Sequence, residues 1–99
     1  MSLRGETAVV GVGLTEFGGL PGHTHMEIMA KAIDKAITDA GIQKDEIDGI
    51  FSANFVEMLT PLTVAEYLGI NPTYMVGTNT GGSVFVNSMQ SAAAALSLG

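Results

Sequence analysis

The chain contains no cysteine and no tryptophan, and few positive charges. Without cysteine there is no disulfide, no thiolate nucleophile and no cysteine-ligated metal. Arg4, Lys31, Lys35 and Lys44 are the only basic side chains against ten acidic ones, for a net charge of -6. No basic stripe exists, so nucleic acid is excluded as a natural partner. Charged residues make up 14% of the chain, against about 25% in an ordinary soluble domain. With 46% hydrophobic residues, the chain asks for more burial than it can supply alone, since a domain of this size buries roughly 65% of its unfolded surface. No uninterrupted apolar run is long enough for a membrane span. The N-terminus lacks a charged region followed by an apolar core, so the expectation is a soluble, cytoplasmic protein. Ninety-nine residues make one domain or part of one. Residues 1–5 read as an N-terminal extension of the kind an expression vector leaves, and 6–99 as an incomplete domain.

What is present is organised around Asn79-Thr80-Gly81-Gly82-Ser83 and the helix expected after it, Val84 to Leu98. Apolar side chains occupy every side of that helix, from Val84, Phe85 and Val86 through Met89 and the run Ala92 to Ala95. Its polar residues, Asn87, Ser88, Gln90, Ser91 and Ser97, carry no charge. Such a helix belongs in the interior of a large domain. A helix N-terminus favours negative charge and oxyanions, so the expectation is a buried site for acyl transfer or phosphate binding.

The upstream chain reads as alternating strands and helices. Thr7 to Leu14 has the short, continuous apolar run of a strand buried on both faces. Its Gly11 and Gly13 suggest close approach of another backbone. Thr24 and Glu27 have capping-box spacing. Met26, Met29, Ala30, Ile33, Ile37 and Ala40 then recur at helical spacing, and Gly41 closes the helix. Glu27–Lys31 and Lys35–Asp39 are expected as i,i+4 ion pairs. Gln43 to Glu46 reads as a solvated turn and Ile47 to Phe55 as the second strand. Thr60 as N-cap and Pro61 at the first helical position open a short helix that Gly69 ends. Thr73 to Thr78 is the third strand. The order β-α-β-α-β-α predicts an α/β fold, a mainly parallel sheet with helices on its faces.

Each candidate for chemistry has a plain structural reading beside it. Gly11-Val12-Gly13 begins like a dinucleotide fingerprint, but Glu16 stands where the third glycine should be and a glycine loop follows. Gly77 to Ser83 lacks the Gly-Lys-Ser/Thr ending of a phosphate loop. His23 and His25 lie two apart rather than four, with nothing to complete a metal site, so no metal is expected. Ser83 is a nucleophile only with a base beside it; as an N-cap or first-turn residue it already has a role. Asn79 suits a hydrogen bond to the turn or to a substrate. Glu16, Glu57 and Glu66 are acids by residue type, with no spacing that argues for acid–base work.

From Asn79 to Gly99 the chain resembles the thiolase superfamily, in which an Asn, two residues and then the nucleophilic Cys open a buried, alanine-rich helix ending in Gly. The resemblance extends backwards through Ala8-Val9-Val10-Gly11-Val12-Gly13, Thr15-Glu16-Phe17-Gly18, Ala40-Gly41-Ile42 and Ile47-Asp48-Gly49-Ile50. The last two are similar to a stretch of the sterol-carrier-protein-type thiolases, a branch of acetyl-CoA acetyltransferases and lipid-transfer proteins. The resemblance implies part of a thiolase-like N-terminal domain, with Asn79, Gly81, Gly82 and Ser83 near a coenzyme A thioester substrate and no tightly bound cofactor. The position of the family nucleophile is Gly82, which has no side chain on which an acyl-enzyme can form. Claisen condensation and thiolysis are therefore not expected of this chain. Some cysteine-less relatives are aldolase components that cleave acyl-CoA side chains beside an OB-fold partner. The other classes are a non-catalytic acyl-CoA-binding, lipid-binding or assembly module, and a plain α/β domain without a site. Backbone N–H groups of the glycine turn could hold an oxyanion or a thioester carbonyl. The family also pairs its third strand across a twofold axis, so self-association through Thr73–Thr78 is expected.

Overall fold

A computed structural model describes residues 2–53, 60–77, 81 and 83–99. Three α-helices, one short 3-10 helix and two strands follow one another in the order α1 (His25–Ala40), the 3-10 turn (Lys44–Glu46), β1 (Gly49–Phe51), α2 (Thr60–Leu68), β2 (Tyr74–Val76) and α3 (Val84–Ser97). The strands pair in parallel, Gly49 opposite Tyr74, Ile50 opposite Met75 and Phe51 opposite Val76. The α/β class with a parallel sheet and helices on its faces is the one expected.

Helix α1 has the ends its sequence calls for. Thr24 Oγ1 accepts a hydrogen bond from the Glu27 amide at 3.1 Å, the first half of the capping box. Gly41 takes the left-handed conformation (φ 71°) and its N–H reaches the carbonyls of Ile37 and Thr38. The 3-10 turn is tied by Glu46, whose carboxylate accepts from the Gln43 amide at 2.8 Å. Helix α2 starts at Thr60 with Pro61 in its first turn, where a missing N–H costs nothing.

Alternation along the strands separates two layers. Ile50 points to one side, where it joins Met26, Val64, Ala65 and Ile70 in the core, with Met29 and Ile33 of α1 packed against it. Val64, 1% exposed, is the most deeply buried side chain among the described residues. Phe51 and Tyr74 point to the other side and face each other across the strands, ring centroids 5.6 Å apart. There they line a groove of about 540 Å³ together with Ala92, Ala95 and Leu96 of α3. The order is helices α1 and α2, sheet, then α3.

The structure corrects several expectations. Thr7 to Leu14 belongs to no sheet among the described residues. The segment lies along α1 instead. Gly11 and Gly13 sit so close to the helix that a Cβ on Gly11 would collide with the Ala36 carbonyl and approach Ala40 Cβ to 2.8 Å. One on Gly13 would collide with the Ala32 carbonyl and come within 2.5 Å of the Ala36 nitrogen. The close approach expected from the glycines is therefore real, but the backbone they meet is a helix with a stripe of alanines at 32, 36 and 40. Val9, Val10, Val12 and Leu14 are exposed.

The expected ion pairs are replaced as well. Lys35 Nζ donates to the Leu14 carbonyl at 3.0 Å, and Asp39 Oδ2 accepts from the Val12 amide at 3.0 Å. Lys31 Nζ meets His23 Nε2 at 2.9 Å. Three residues spaced by one turn of α1 thus hold the N-terminal segment. An exposed i,i+4 pair on a helix contributes only tenths of a kcal/mol, so two backbone groups and an imidazole nitrogen of the N-terminal segment win these side chains.

Both strands are shorter than the expected Ile47–Phe55 and Thr73–Thr78; Asn54, Phe55 and Thr78 lie outside the described residues. Helix α3 starts at Val84 as expected and ends at Ser97, one residue before the expected Leu98, but it lacks the expected burial. Only Val84 is buried, while Phe85, Val86, Met89, Leu96 and Leu98 are exposed. One side of α3 meets the sheet, and no described residue forms a second layer over the other.

Candidate functional site

Parallel strands bring their carboxyl ends to one edge, the usual place for a site in an open α/β sheet. At that edge the chain continues from β1 into Ser52 and Ala53 and from β2 into Gly77. The Ser52 amide extends the ladder by donating to the Val76 carbonyl at 3.1 Å. Helix α2 begins beside them. A Cβ on Gly77 would lie 2.7 Å from Cδ of Pro61 and 3.4 Å from the Ser52 carbonyl, so the strand end and the helix start fit together only with glycine at 77.

The C-terminal half of α3 lines the groove together with Ile47, Asp48 and Thr73, at the amino ends of the strands. The helix therefore runs back along the sheet and its N-terminus lies toward the carboxyl edge. Gly81 enters it with φ 104°, a conformation that a side chain would strain, and its carbonyl accepts from the Val84 amide at 3.1 Å. Ser83 occupies the N-cap position, as expected, but its side chain makes no capping hydrogen bond. The first turn of α3 is closed by backbone, Asn87 N–H to the Ser83 carbonyl at 3.0 Å. Gly81 and Ser83 are exposed, so within this chain the helix start faces solvent and not the buried interior its composition suggests. Asn79 and Gly82 lie outside the described residues.

Ser52 adds a feature that sequence reasoning missed. Its Oγ is buried and has no hydrogen-bond partner among the described residues. A serine just past a strand carries no sequence signal, and only its burial in the folded chain makes the hydroxyl distinctive. A buried hydroxyl without a partner is costly, so a ligand group donating to or accepting from it at this edge would gain from the contact.

The histidines and acids expected to be structural stay apart from this edge. His23 sits before α1 with its Nδ1 3.3 Å from the Pro21 carbonyl, and His25 is the first residue of α1. Glu16 is exposed near the same loop and Glu66 lies on the outer side of α2; Glu57 lies outside the described residues. Among the described residues no cluster of His, Cys, Asp and Glu has the makings of a metal site. No helix among them is long and apolar enough to cross a membrane.

No family model matches the chain. Two curated proteins are similar to it along nearly its whole length. One is the 17-hydroxy-3-oxo-4-pregnene-20-carboxyl-CoA lyase of Mycobacterium tuberculosis, 31% identical over 98 residues, which are 98% of this chain and 25% of that protein. The other is a steroid side-chain-cleaving aldolase of Thermomonospora curvata, 29% identical over 98 residues, with the same coverage. The chain thus spans about a quarter of the length of the curated relatives it matches.

Proposed function

We propose that the chain is the N-terminal part of a thiolase-like lyase that cleaves a carbon–carbon bond in a β-hydroxyacyl-CoA thioester by a retro-aldol step. The observation that carries this reading is the likeness to two side-chain-cleaving enzymes along 98% of the chain. The substrate named for one of them has a hydroxyl on carbon 17 and the CoA carboxyl on carbon 20. If those two carbons are bonded, the hydroxyl is β to the thioester. The aldol disconnection of such a molecule needs no covalent intermediate. A base takes the hydroxyl proton, the carbinol carbon becomes a carbonyl, and the bond to the α-carbon breaks. Its electron pair passes into the thioester as an enolate, which is then protonated at the α-carbon. Gly82 in place of a nucleophile obstructs thiolase chemistry and leaves this reaction untouched.

The start of α3 suits one part of that task. A helix N-terminus favours negative charge, and preorganised N–H donors are effective where an enolate oxygen develops. Gly81, Gly82 and Ser83, with Asn79, are the residues we assign to the thioester oxygen; the base is assigned to no residue of this chain. The test is a product assay on the protein that carries this sequence. It should convert a β-hydroxyacyl-CoA to a carbonyl compound and a shortened acyl-CoA, and leave a 3-ketoacyl-CoA intact in the presence of free CoA. Thiolysis of the 3-ketoacyl-CoA would overturn the reading in favour of an acetyltransferase. Binding of acyl-CoA without cleavage would favour a non-catalytic module. An OB-fold partner belongs to the same reading, and activity that appears only on adding such a protein would support it.

Self-association through β2 is part of the proposal. Its outer edge is unpaired among the described residues, and Tyr74 and Met75 are exposed on it. An apolar edge strand of this kind invites another strand. Met75→Lys is expected to shift the protein from dimer to monomer in sedimentation at micromolar concentration. A parent protein that is already monomeric under those conditions would remove β2 as an interface.

A further inference from the structure

We propose that Lys31, Lys35 and His23 form a receptor for a phosphate group, on the opposite side of α1 from the core and separate from the carboxyl edge of the sheet. A small cavity of about 120 Å³ opens there, lined by the apolar Leu20 and Ile28 and by the polar Thr15, Glu16, His23, Lys31 and Lys35. Two of the four basic residues in a chain of net charge -6 converge on it. They are one helical turn apart on α1 and so project from the same face.

Among the described residues no carboxylate forms an ion pair with either ammonium. Lys31 Nζ is 2.9 Å from His23 Nε2 and Lys35 Nζ is 3.0 Å from the Leu14 carbonyl. Each keeps two further N–H groups, since an ammonium carries three donors. The imidazole is oriented by its other nitrogen, 3.3 Å from the Pro21 carbonyl. Donation from Nδ1 to that carbonyl leaves a lone pair at Nε2 for the Lys31 ammonium. Thr15 Oγ1, also in the lining, is 3.2 Å from the Glu16 carbonyl. The single acid in the lining is Glu16. Two positive charges and one negative charge therefore face a space that suits a tetrahedral oxyanion and is too small for a nucleotide or an acyl chain. A phosphate group matches the two ammonium charges, and charge-assisted hydrogen bonds of this type are the strong ones. The remainder of a larger ligand would extend outward through the opening.

This inference does not depend on the lyase reading. The phosphate could be free or carried by a larger molecule, of which the 3′-phosphate of coenzyme A is the obvious test. Inorganic phosphate, CoA and 3′-dephospho-CoA are titrated calorimetrically into the protein. Saturable, single-site binding of phosphate or of CoA is expected. Lys31→Met and Lys35→Met should each weaken it about tenfold, Glu16→Gln should tighten it about threefold, and Lys44→Met should leave it unchanged. CoA binding that falls about tenfold on removal of the 3′-phosphate, and is lost with the lysines, identifies the larger ligand. Equal binding of both forms of CoA, with lysine-dependent binding of inorganic phosphate, identifies the free anion. Because Lys35 also holds the N-terminal segment, each variant is compared with the parent by circular dichroism. Glu16→Gln leaves the Lys31–His23 and Lys35–Leu14 contacts in place and is the deciding variant if Lys35→Met unfolds. Absence of saturable binding in the folded parent, parent-like binding by Lys31→Met, or no tightening by Glu16→Gln would overturn the proposal.

Discussion

Gly13→Ala is expected to release residues 7–14 from α1 and to lower the melting temperature by about 10 °C, corresponding to about 2 kcal/mol in a chain of this length. The added methyl would collide with the carbonyl of Ala32 and lie 2.5 Å from the Ala36 nitrogen. Both are backbone atoms of a hydrogen-bonded helix and cannot turn aside as a flexible side chain would. The segment must therefore lift, and lifting it breaks the Val12 amide contact with Asp39 and the Lys35 contact with Leu14. Each such bond is a net contribution of about 1 kcal/mol. The control is Gly19→Ala, at which an added Cβ meets nothing within 4 Å; its melting point should stay within about 2 °C of the parent. Hydrogen exchange distinguishes local from global effects. Loss of protection at Val12 with Ile50 still protected means the strap has undocked over an intact core. Equal melting points for Gly13→Ala and Gly19→Ala would mean that the segment contributes nothing in solution.

The same segment marks where local sequence stops being informative. The features of α1 lie within a few residues of one another: Thr24 to cap, Gly41 to end, and apolar residues at 26, 29, 33 and 37 to face the core. Those interactions are short in sequence, so they can be read from it. The run Ala8-Val9-Val10 has the composition of a buried strand, but membership of a sheet requires a neighbouring strand to take its hydrogen bonds. Among the described residues no such neighbour exists for 7–14, and the glycines let the segment settle on the alanine stripe of α1. Lys31, Lys35 and Asp39 show the same limit. Their spacing permits pairs along the helix, yet the groups they meet are 8 to 27 residues away in sequence.

At the candidate site, the start of α3 at Val84 was legible because a glycine pair before an uninterrupted helical stretch has few alternatives. The burial of that helix was not, because burial depends on what covers it. Phe85, Val86 and Met89 need an apolar cover that the described residues do not provide. The contribution of Ser52 was invisible for a related reason. Its hydroxyl becomes notable only through its burial in the folded chain, which no periodicity announces.

Gly82→Asp is expected to reduce cleavage of a β-hydroxyacyl-CoA by about 100-fold while leaving the fold intact, the loss typical of removing one oxyanion contact. The argument turns on two opposite effects of one charge. A carboxylate next to the N-cap Ser83 interacts favourably with the helix dipole, by about 0.3–1 kcal/mol at an exposed site. Ser83 and Gly81 are exposed, so this substitution is not expected to lower the melting point. In the lyase reading, however, the same N–H groups receive the negative oxygen of the thioester enolate. An aspartate there competes for those donors and repels the charge that develops in the transition state. Turnover should therefore fall much more than acyl-CoA binding, because the ground-state thioester oxygen carries little charge. Gly82→Ala separates charge from bulk: a loss confined to Gly82→Asp assigns the effect to repulsion, whereas equal losses assign it to the space a side chain occupies. If Gly82→Asp binds and cleaves acyl-CoA as well as the parent, the turn before α3 is not where the enolate is held. The unpartnered Ser52 hydroxyl at the strand ends would then be the next group to replace.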